Sequence, residues 1–167
     1  MNGDRQVLTR AVARALSGRS AHIEPSDVFV GLDWKIAGTR PRGVAHSVFQ
    51  LLNHMVFWQN WVISWLEGKK PENVSGSWRG SDGPASRGEW ERAVGRFRSG
   101  IDELNRCCRE ADLLAKRGKT SRLEMLQTAA SHNSYHAGQV VILRQMLGTW
   151  ADQRSRRASR ARETAAP

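Results

Sequence analysis

Apolar residues recur along four long segments of the chain with the 3.6-residue period of an α-helix, and the alternation typical of β-strands is nearly absent. The first predicted helix spans about residues 4–17, and Gly18 ends it. Each of the other three begins at a serine that has Gln or Glu three residues later, which is the capping-box pattern; these serines are Ser47, Ser86 and Ser121. Gly148 ends the fourth helix. Four such helices predict an all-α four-helix bundle that forms a single domain over residues 1–150.

The same period selects the side chains that should face the core. In the first helix they are Val7, Leu8, Ala11, Val12, Ala15 and Leu16. In the third helix they are Trp90, Val94, Phe97, Ile101 and Leu104. In the fourth helix they are Leu123, Leu126, Ala130, Leu143 and Leu147.

Two long connectors interrupt the helical pattern. Residues 20–43 follow the first helix, and Pro25 predicts a short helix within them. Residues 68–87 are rich in Gly, Ser, Pro and charge, and a loop of this length in a compact domain is mobile or functional. Because this loop carries Trp78 and Arg79, it is interpreted either as a lid over a site or as a solvated connector.

The second helix has no charged residue over residues 44–66, as a membrane-spanning helix would. Polar side chains, however, are spread through its middle; they are Gln50, Asn53, His54, Gln59 and Asn60. Hydrocarbon would penalise these groups, so the pattern argues against a membrane span. It predicts a helix that is buried on most sides, both in the bundle and against another subunit.

The chain carries 26 Lys and Arg against 16 Asp and Glu, a formal charge of +10. Five of the arginines lie in residues 151–167, which are predicted to form a disordered basic tail together with the residues after Gly148. The other basic residues are scattered, so a dedicated nucleic-acid binder is disfavoured. The two cysteines, Cys107 and Cys108, are neighbours, which excludes a disulfide framework and indicates a cytoplasmic protein; neither is expected to act as a nucleophile.

Histidines at positions i and i+4 lie on one face of a helix, where both imidazoles can hold one metal ion. The fourth helix carries such a pair, His132 and His136. His54, in the uncharged second helix, is the preferred third ligand. His46 is the rival ligand, and is assigned instead to the surroundings of the site or to a loop contact. The sequence therefore predicts a site with three nitrogen ligands and open positions; the alternative is that these are ordinary core or surface histidines.

Three tryptophans continue the helical line that begins at His54; they are Trp58, Trp61 and Trp65. An apolar wall beside a metal excludes water and can hold the flat or aliphatic part of a small substrate. Gln139 continues the face of the fourth helix that carries the histidine pair. The predicted contacts of a bound cofactor or substrate are therefore Trp58, Trp61 and Gln139. The alternative is that the tryptophans serve only the core and a subunit interface.

The histidine pair differs from the zinc-protease motif H-E-x-x-H, because Asn133 stands where that motif has glutamate. No carboxylate occurs between Glu124 and Asp152. Either the metal itself would have to lower the pKa of a bound water or thiol, or a base would have to come from another segment, such as Glu24 or Asp33 in the first connector. The sequence therefore disfavours a hydrolase of that type and assigns no catalytic residue.

Two motifs together resemble the DinB/YfiT-like superfamily of metal-binding four-helix-bundle proteins. They are residues 46–54 (HSVFQLLNH) continuing into Trp58 and Gln59, and residues 132–139 (HNSYHAGQ) followed by residues 143–148 (LRQMLG). The resemblance covers about residues 4–150 and leaves out the tail.

The resemblance implies an up-down-down-up bundle in which one histidine of the second helix and two of the fourth hold a divalent metal ion. Carried over, these ligands are His54, His132 and His136. The ion implied is zinc or nickel, with iron and manganese as further choices. Homodimers are common in the superfamily, and characterised relatives include thiol-dependent transferases and isomerases.

Three functions are compatible with these features. The first is a metal-dependent enzyme that transfers a low-molecular-weight thiol to a small-molecule substrate. The second is a non-catalytic bundle that binds metal or ligand in a stress response, which the missing carboxylate favours. The third, least favoured, is nucleic-acid binding through the basic tail.

Overall fold

The computed structural model of the protein describes residues 2–18, 21–110 and 112–150. The four long helices are α1 (Asn2–Ser17), α2 (Val48–Leu66), α3 (Arg87–Glu110) and α4 (Arg122–Met146). Short 3₁₀ helices cover Pro25–Phe29 and Val74–Gly76. Two short antiparallel strands, β1 (Lys116–Arg117) and β2 (Thr120–Ser121), form a hairpin before α4. The all-α prediction is confirmed. Within the described segments, no helix is both long and apolar enough to cross a membrane.

The capping boxes predicted at the starts of α2 and α4 are confirmed. The Ser47 side chain accepts from the Gln50 backbone, and Gln50 accepts in return from the Ser47 backbone. Ser121 and Glu124 pair in the same way. At α3 the prediction is half right, because Ser86 Oγ accepts from the backbone of Glu89. The Glu89 carboxylate, however, accepts from the backbone of Ala85, at a distance of 2.6 Å.

Helices α3 and α4 bury most of the predicted core side chains, but the predicted face of α1 is too wide. Val12 and Leu16 are buried, whereas Val7, Ala11 and Ala15 are exposed. The reason is that α1 packs mainly against α3 and α4, and a helix covered by two neighbours on one side buries a narrow stripe.

The core consists of two apolar clusters, both of which α2 joins to α3 and α4. The first core cluster includes Met55, Val56, Phe97, Ile101, Ala137 and Val140. The second core cluster includes Val62, Leu66, Leu104, Leu126 and Ala130. The predicted burial of α2 is therefore confirmed for its middle, and its Trp61 and Trp65 pack at the edge of the second core cluster.

A buried arginine ties the end of α4 to the first connector. One terminal nitrogen of Arg144 donates to the carbonyl oxygens of Val28 and Val30, at 2.6 and 2.9 Å. The other donates to the carbonyl oxygen of Thr149 at 2.7 Å, and the guanidinium lies 5.1 Å from the centre of the Trp150 ring. The prediction that the tail begins directly after Gly148 is therefore wrong, because Thr149 and Trp150 belong to the fold. The tail predicted for residues 151–167 lies outside the described residues.

Candidate metal centre

The histidines predicted as ligands meet between α2 and α4. His54, His132 and His136 each offer one ring nitrogen, and these atoms all lie within 4.8 Å of one another. The Nε2 atoms of His54 and His132 are 3.3 Å apart. His54 and His136 are buried, and His132 is half-buried. The spacing of four residues in α4 and the packing of α2 against it bring together three nitrogen donors of the kind that zinc and related ions prefer.

Hydrogen bonds to carbonyl oxygens orient two of the three rings. His54 Nδ1 lies 2.9 Å from the carbonyl oxygen of Ser77, and His136 Nδ1 lies 2.7 Å from Oε1 of Gln139. Because a carbonyl oxygen only accepts, each Nδ1 carries the proton and each Nε2 is left as an acceptor; that of His54 faces His132 Nε2 at 3.3 Å. This arrangement is typical of metal-binding histidines, whose second nitrogen is held by a fixed acceptor. Gln139, predicted as a cofactor contact, thus orients a histidine ring.

The site keeps its imidazoles neutral. Burial, together with the smaller effects of His136 and His46, lowers the pKa of His54 to about 4, against the opposing effect of the hydrogen bond to Ser77. Burial lowers the pKa of His132 to about 3, and His136 and His54 act in the same direction. Burial also lowers the pKa of His136. Neutral imidazole is the form that binds metals, so the histidines are ready to act as ligands at neutral pH.

Trp78 covers the site from the loop between α2 and α3. Its ring stacks on His54, with centroids 3.6 Å apart and planes within 11°. Its other face stacks on His46 at 3.8 Å and 9°. His46 therefore contacts the loop, as one of its two assignments predicted. The sequence indicates Trp78 only as part of a lid or a connector, because its stacking on a histidine depends on a contact that has no local sequence signal.

Hydrogen bonds to Asp82 hold this loop against the start of α2. Its carboxylate accepts from Gln50 Nε2 at 2.9 Å and from Arg40 at 3.0 Å. Its carbonyl oxygen accepts from the Ser47 hydroxyl. Gly38 and Gly83 also approach so closely that a Cβ on Gly38 would overlap the backbone of Gly83. Ser77 and Trp78 thus contact the site, as the lid interpretation predicts, while residues 78–82 remain exposed to solvent.

A cavity of about 550 Å³ opens onto the three histidines. The other side chains that line it are His46, Trp58, Ser77, Trp78, Tyr135 and Gln139. Of the tryptophans in the predicted wall, Trp58 reaches the cavity. Trp61 packs against Trp58 with centroids 5.7 Å apart and so supports that ring, whereas Trp65 lies near Arg117.

The family model of the DinB superfamily matches residues 6–140, a span that includes all three histidines. The chain belongs to the DinB superfamily. Searches of curated proteins and of solved structures each returned no match.

The cavity of this DinB-superfamily protein has no acidic or basic side chain in its lining other than the imidazoles, among the residues that the structure describes. Neither Glu24 nor Asp33, considered as a base from another segment, lines it. Asp33 instead lines a separate groove between the first connector and α3. No carboxylate within the described lining can therefore serve as a general base.

The cysteines of the DinB-superfamily chain are buried and free. Burial raises the pKa of both Cys107 and Cys108. Cys108 donates a weak hydrogen bond to the carbonyl oxygen of Thr9 at 3.5 Å. A buried thiol with a raised pKa holds little thiolate, so these residues have the character of core side chains.

Proposed function

We propose that this protein is a divalent-metal-dependent enzyme that transfers a low-molecular-weight thiol to a small electrophilic substrate. The metal ligands are His54, His132 and His136, and the observation that carries the proposal is their convergence within 4.8 Å, with two Nδ1–H groups already bonded. Zinc and nickel suit these nitrogen donors best, and iron and manganese are further choices.

The donor geometry fits a divalent ion. Two nitrogens bound tetrahedrally to zinc at about 2.0–2.1 Å lie roughly 3.3 Å apart. The Nε2 atoms of His54 and His132 are already 3.3 Å apart. Three protein ligands leave a position for substrate, which distinguishes catalytic from closed structural sites. An ion at this position supplies Lewis acidity, which lowers the pKa of a thiol that binds it.

The residues around the histidines serve to bind and shield a substrate. Trp58 and Trp78 form aromatic walls that exclude water and contact the flat or aliphatic part of a small molecule. The Tyr135 hydroxyl accepts from Gln139 Nε2 at 3.2 Å, which leaves its own proton available to a bound group. No carboxylate occurs among the described residues that line the cavity, so an anionic reactant such as a thiolate meets no negative charge there.

The second candidate function is a non-catalytic protein that binds metal or ligand in a stress response. It is favoured by the absence of a general base from the described cavity lining. It differs from the enzyme in a measurable way, because metal should stabilise the protein while no thiol or electrophile is turned over.

The decisive experiment is metal analysis by mass spectrometry on tag-free protein, with His54→Ala and the control His22→Gln beside the wild type. His22 bonds Ser134 and does not line the cavity, so its variant should keep the metal. We expect about one divalent ion per chain in the wild type and its loss in His54→Ala. Absence of metal after refilling with zinc, nickel or manganese would refute the metal site.

Cobalt substitution then tests the thiol. Small thiols that bind the ion directly should change the absorption spectrum of the cobalt protein. If no thiol changes it, the thiol transferase is excluded, and the non-catalytic function becomes the better one. If a metal-dependent turnover is found and His136→Ala abolishes it, the non-catalytic function is excluded.

We also propose a cytoplasmic homodimer. The outer face of α4 presents a stripe of exposed apolar side chains; they are Tyr135, Ile142 and Met146. Light scattering on wild type and Ile142→Glu tests this interface, since a charge at its centre should give monomers.

A further inference from the structure

Two polar side chains lie deep in the core where the two apolar clusters meet. Gln59 of α2 and Asn133 of α4 are each only 1 % exposed. Along α2, Val56 belongs to the first core cluster and Val62 to the second. Along α4, Ala137 belongs to the first and Ala130 to the second. On each helix the polar residue therefore falls between the two clusters, and Gln59 and Asn133 are together called the polar layer.

The amide groups of this layer lack protein partners. Neither Gln59 Nε2 nor Gln59 Oε1 has a hydrogen bond among the described residues, and Asn133 Nδ2 has none either. Buried polar groups in native proteins are nearly always bonded, to protein or to ordered water. An internal water typically makes about three hydrogen bonds to such groups. One donor and one acceptor on Gln59 and a donor on Asn133 match the needs of such a water.

The neighbouring helix is shaped to admit the Gln59 amide. A Cβ on Gly100 of α3 would overlap Oε1 and Cδ of Gln59. Gly100 is buried within α3, and a glycine inside a helix weakens it relative to alanine. Its place here is explained by the space that the polar layer requires.

The layer adjoins the metal centre. Asn133 directly follows His132 and lies three residues before His136, while Gln59 directly follows Trp58, which lines the cavity. Apolar contacts alone are non-directional, so two helices held by them can shift against each other. Buried polar groups can fix one alignment of packed helices at some expense of stability.

We propose that Gln59 and Asn133 bind an internal water between the two core clusters and so hold α2 and α4 in the alignment that brings His54 to His132 and His136. They are positioning residues, and neither touches the reacting groups. The proposal rests on the histidine cluster and is independent of the thiol chemistry.

The water itself is tested in the wild type, without any substitution. Nuclear Overhauser effects between long-lived water and the side-chain amide protons of Gln59 and Asn133 should be observed by NMR. Their absence from both side chains overturns the internal water and with it the proposal. This measurement needs no metal, so a protein that fails to bind metal still gives an answer.

The positioning role is tested with near-isosteric apolar variants, Gln59→Met and Asn133→Leu, with Met55→Leu as a buried control on α2. Each polar-to-apolar variant should unfold at or above the wild-type temperature when metal-free, yet bind Co²⁺ about tenfold more weakly. The control should change neither quantity. Unchanged Co²⁺ affinity in both variants overturns the positioning role. A loss of stability in proportion to the loss of affinity also overturns it, because the weaker binding would then follow from general destabilisation.

Gly100→Ala supplies an independent check. Alone it should lower stability and Co²⁺ affinity, because its methyl group displaces the Gln59 amide. Gln59→Ala removes that amide, so the double variant should lose less stability and less Co²⁺ affinity than the sum of the losses in the two single variants. Strict additivity would show that Gly100 does not accommodate the polar layer and would count against the proposal.

Discussion

Trp78 lies flat against His54, with ring centroids 3.6 Å apart and planes within 11°, although 23 residues lie between them in the chain. The residue before it, Ser77, accepts the Nδ1–H bond of the same histidine. The loop between α2 and α3 therefore fixes both the tilt and the rotation of one ring of the candidate metal centre.

Trp78→Ala should loosen that ring. Loss of an outer contact to a metal-binding histidine typically weakens metal binding about 10–100-fold, and we expect the lower end because the Ser77 bond remains. Greater hydration of His54 should also raise its pKa from about 4 towards 6.5, which NMR titration of the metal-free protein can follow. Trp78→Phe keeps an aromatic face, so its metal affinity and the pKa of its His54 should stay close to the wild-type values. If Trp78→Ala and the wild type have the same metal affinity and the same His54 pKa, stacking does not hold the ring.

Asp82→Ala should release the loop that carries Ser77 and Trp78. The variant loses the bonds to Gln50 and Arg40 and keeps the backbone bond to Ser47. The ion pair with Arg40 is solvent-exposed and worth little by itself, so global stability should fall by only about 1 kcal/mol.

Hydrogen exchange measures the local effect of Asp82→Ala. The amides of residues 77–80 should exchange faster, while those of α2 stay protected. Asp102→Ala, at an exposed aspartate of α3, is the matched control and should leave the loop unchanged. If these amides exchange at the wild-type rate, the close contact of Gly38 with Gly83 and the hydrogen bond from Ser47 are sufficient to hold the loop.

The stability of the metal-free protein should fall as the pH is lowered below 6.5. A histidine whose folded pKa is depressed binds its proton only in the unfolded state across the interval between the two values. For His54 this interval runs from 6.5 down to about 4, and for His132 down to about 3. Each such histidine contributes a slope of about 1.4 kcal/mol per pH unit, with stability lost as the pH falls.

Urea denaturation at pH values from 7 to 4 measures this slope. His54→Asn should flatten it by about the contribution of one histidine, and His132→Asn should act similarly. An equally steep curve in both variants would mean that the folded-state pKa values of these imidazoles are not depressed.

Arg144→Lys should destabilise the fold much more than an Arg-to-Lys substitution at an exposed position does. Lysine cannot reach the carbonyl oxygens of Val28, Val30 and Thr149 together, so buried acceptors lose their donors. We expect a loss of about 2–4 kcal/mol in the free energy of unfolding. Arg98→Lys, on the exposed face of α3, should change it by less than about 0.5 kcal/mol. Similar unfolding curves for the two variants would contradict the role of Arg144.

Local interactions explain what could be predicted from the sequence. The caps of α2 and α4 were predictable because a serine and a residue three positions later complete them without any distant partner. The face shared by His132 and His136 follows from helix geometry alone. The choice of His54 over His46 was predictable from its place in the uncharged middle of α2, which had to be buried.

The tertiary structure decided what depends on contacts between distant segments. Trp78 meets His54, and Thr149 joins the core through Arg144, because the folded chain brings them together; neither contact has a period or spacing in the sequence. The exposed side of α1 depends on how many helices cover it, and Trp61 lies behind Trp58 because of how α2 is rotated. The sequence by itself thus determined the helices and the metal-binding residue types, since backbone hydrogen bonds and helix period are local. Only packing decided that Trp78 covers the site and that burial lowers the pKa of its histidines, because both depend on chain segments that meet on folding.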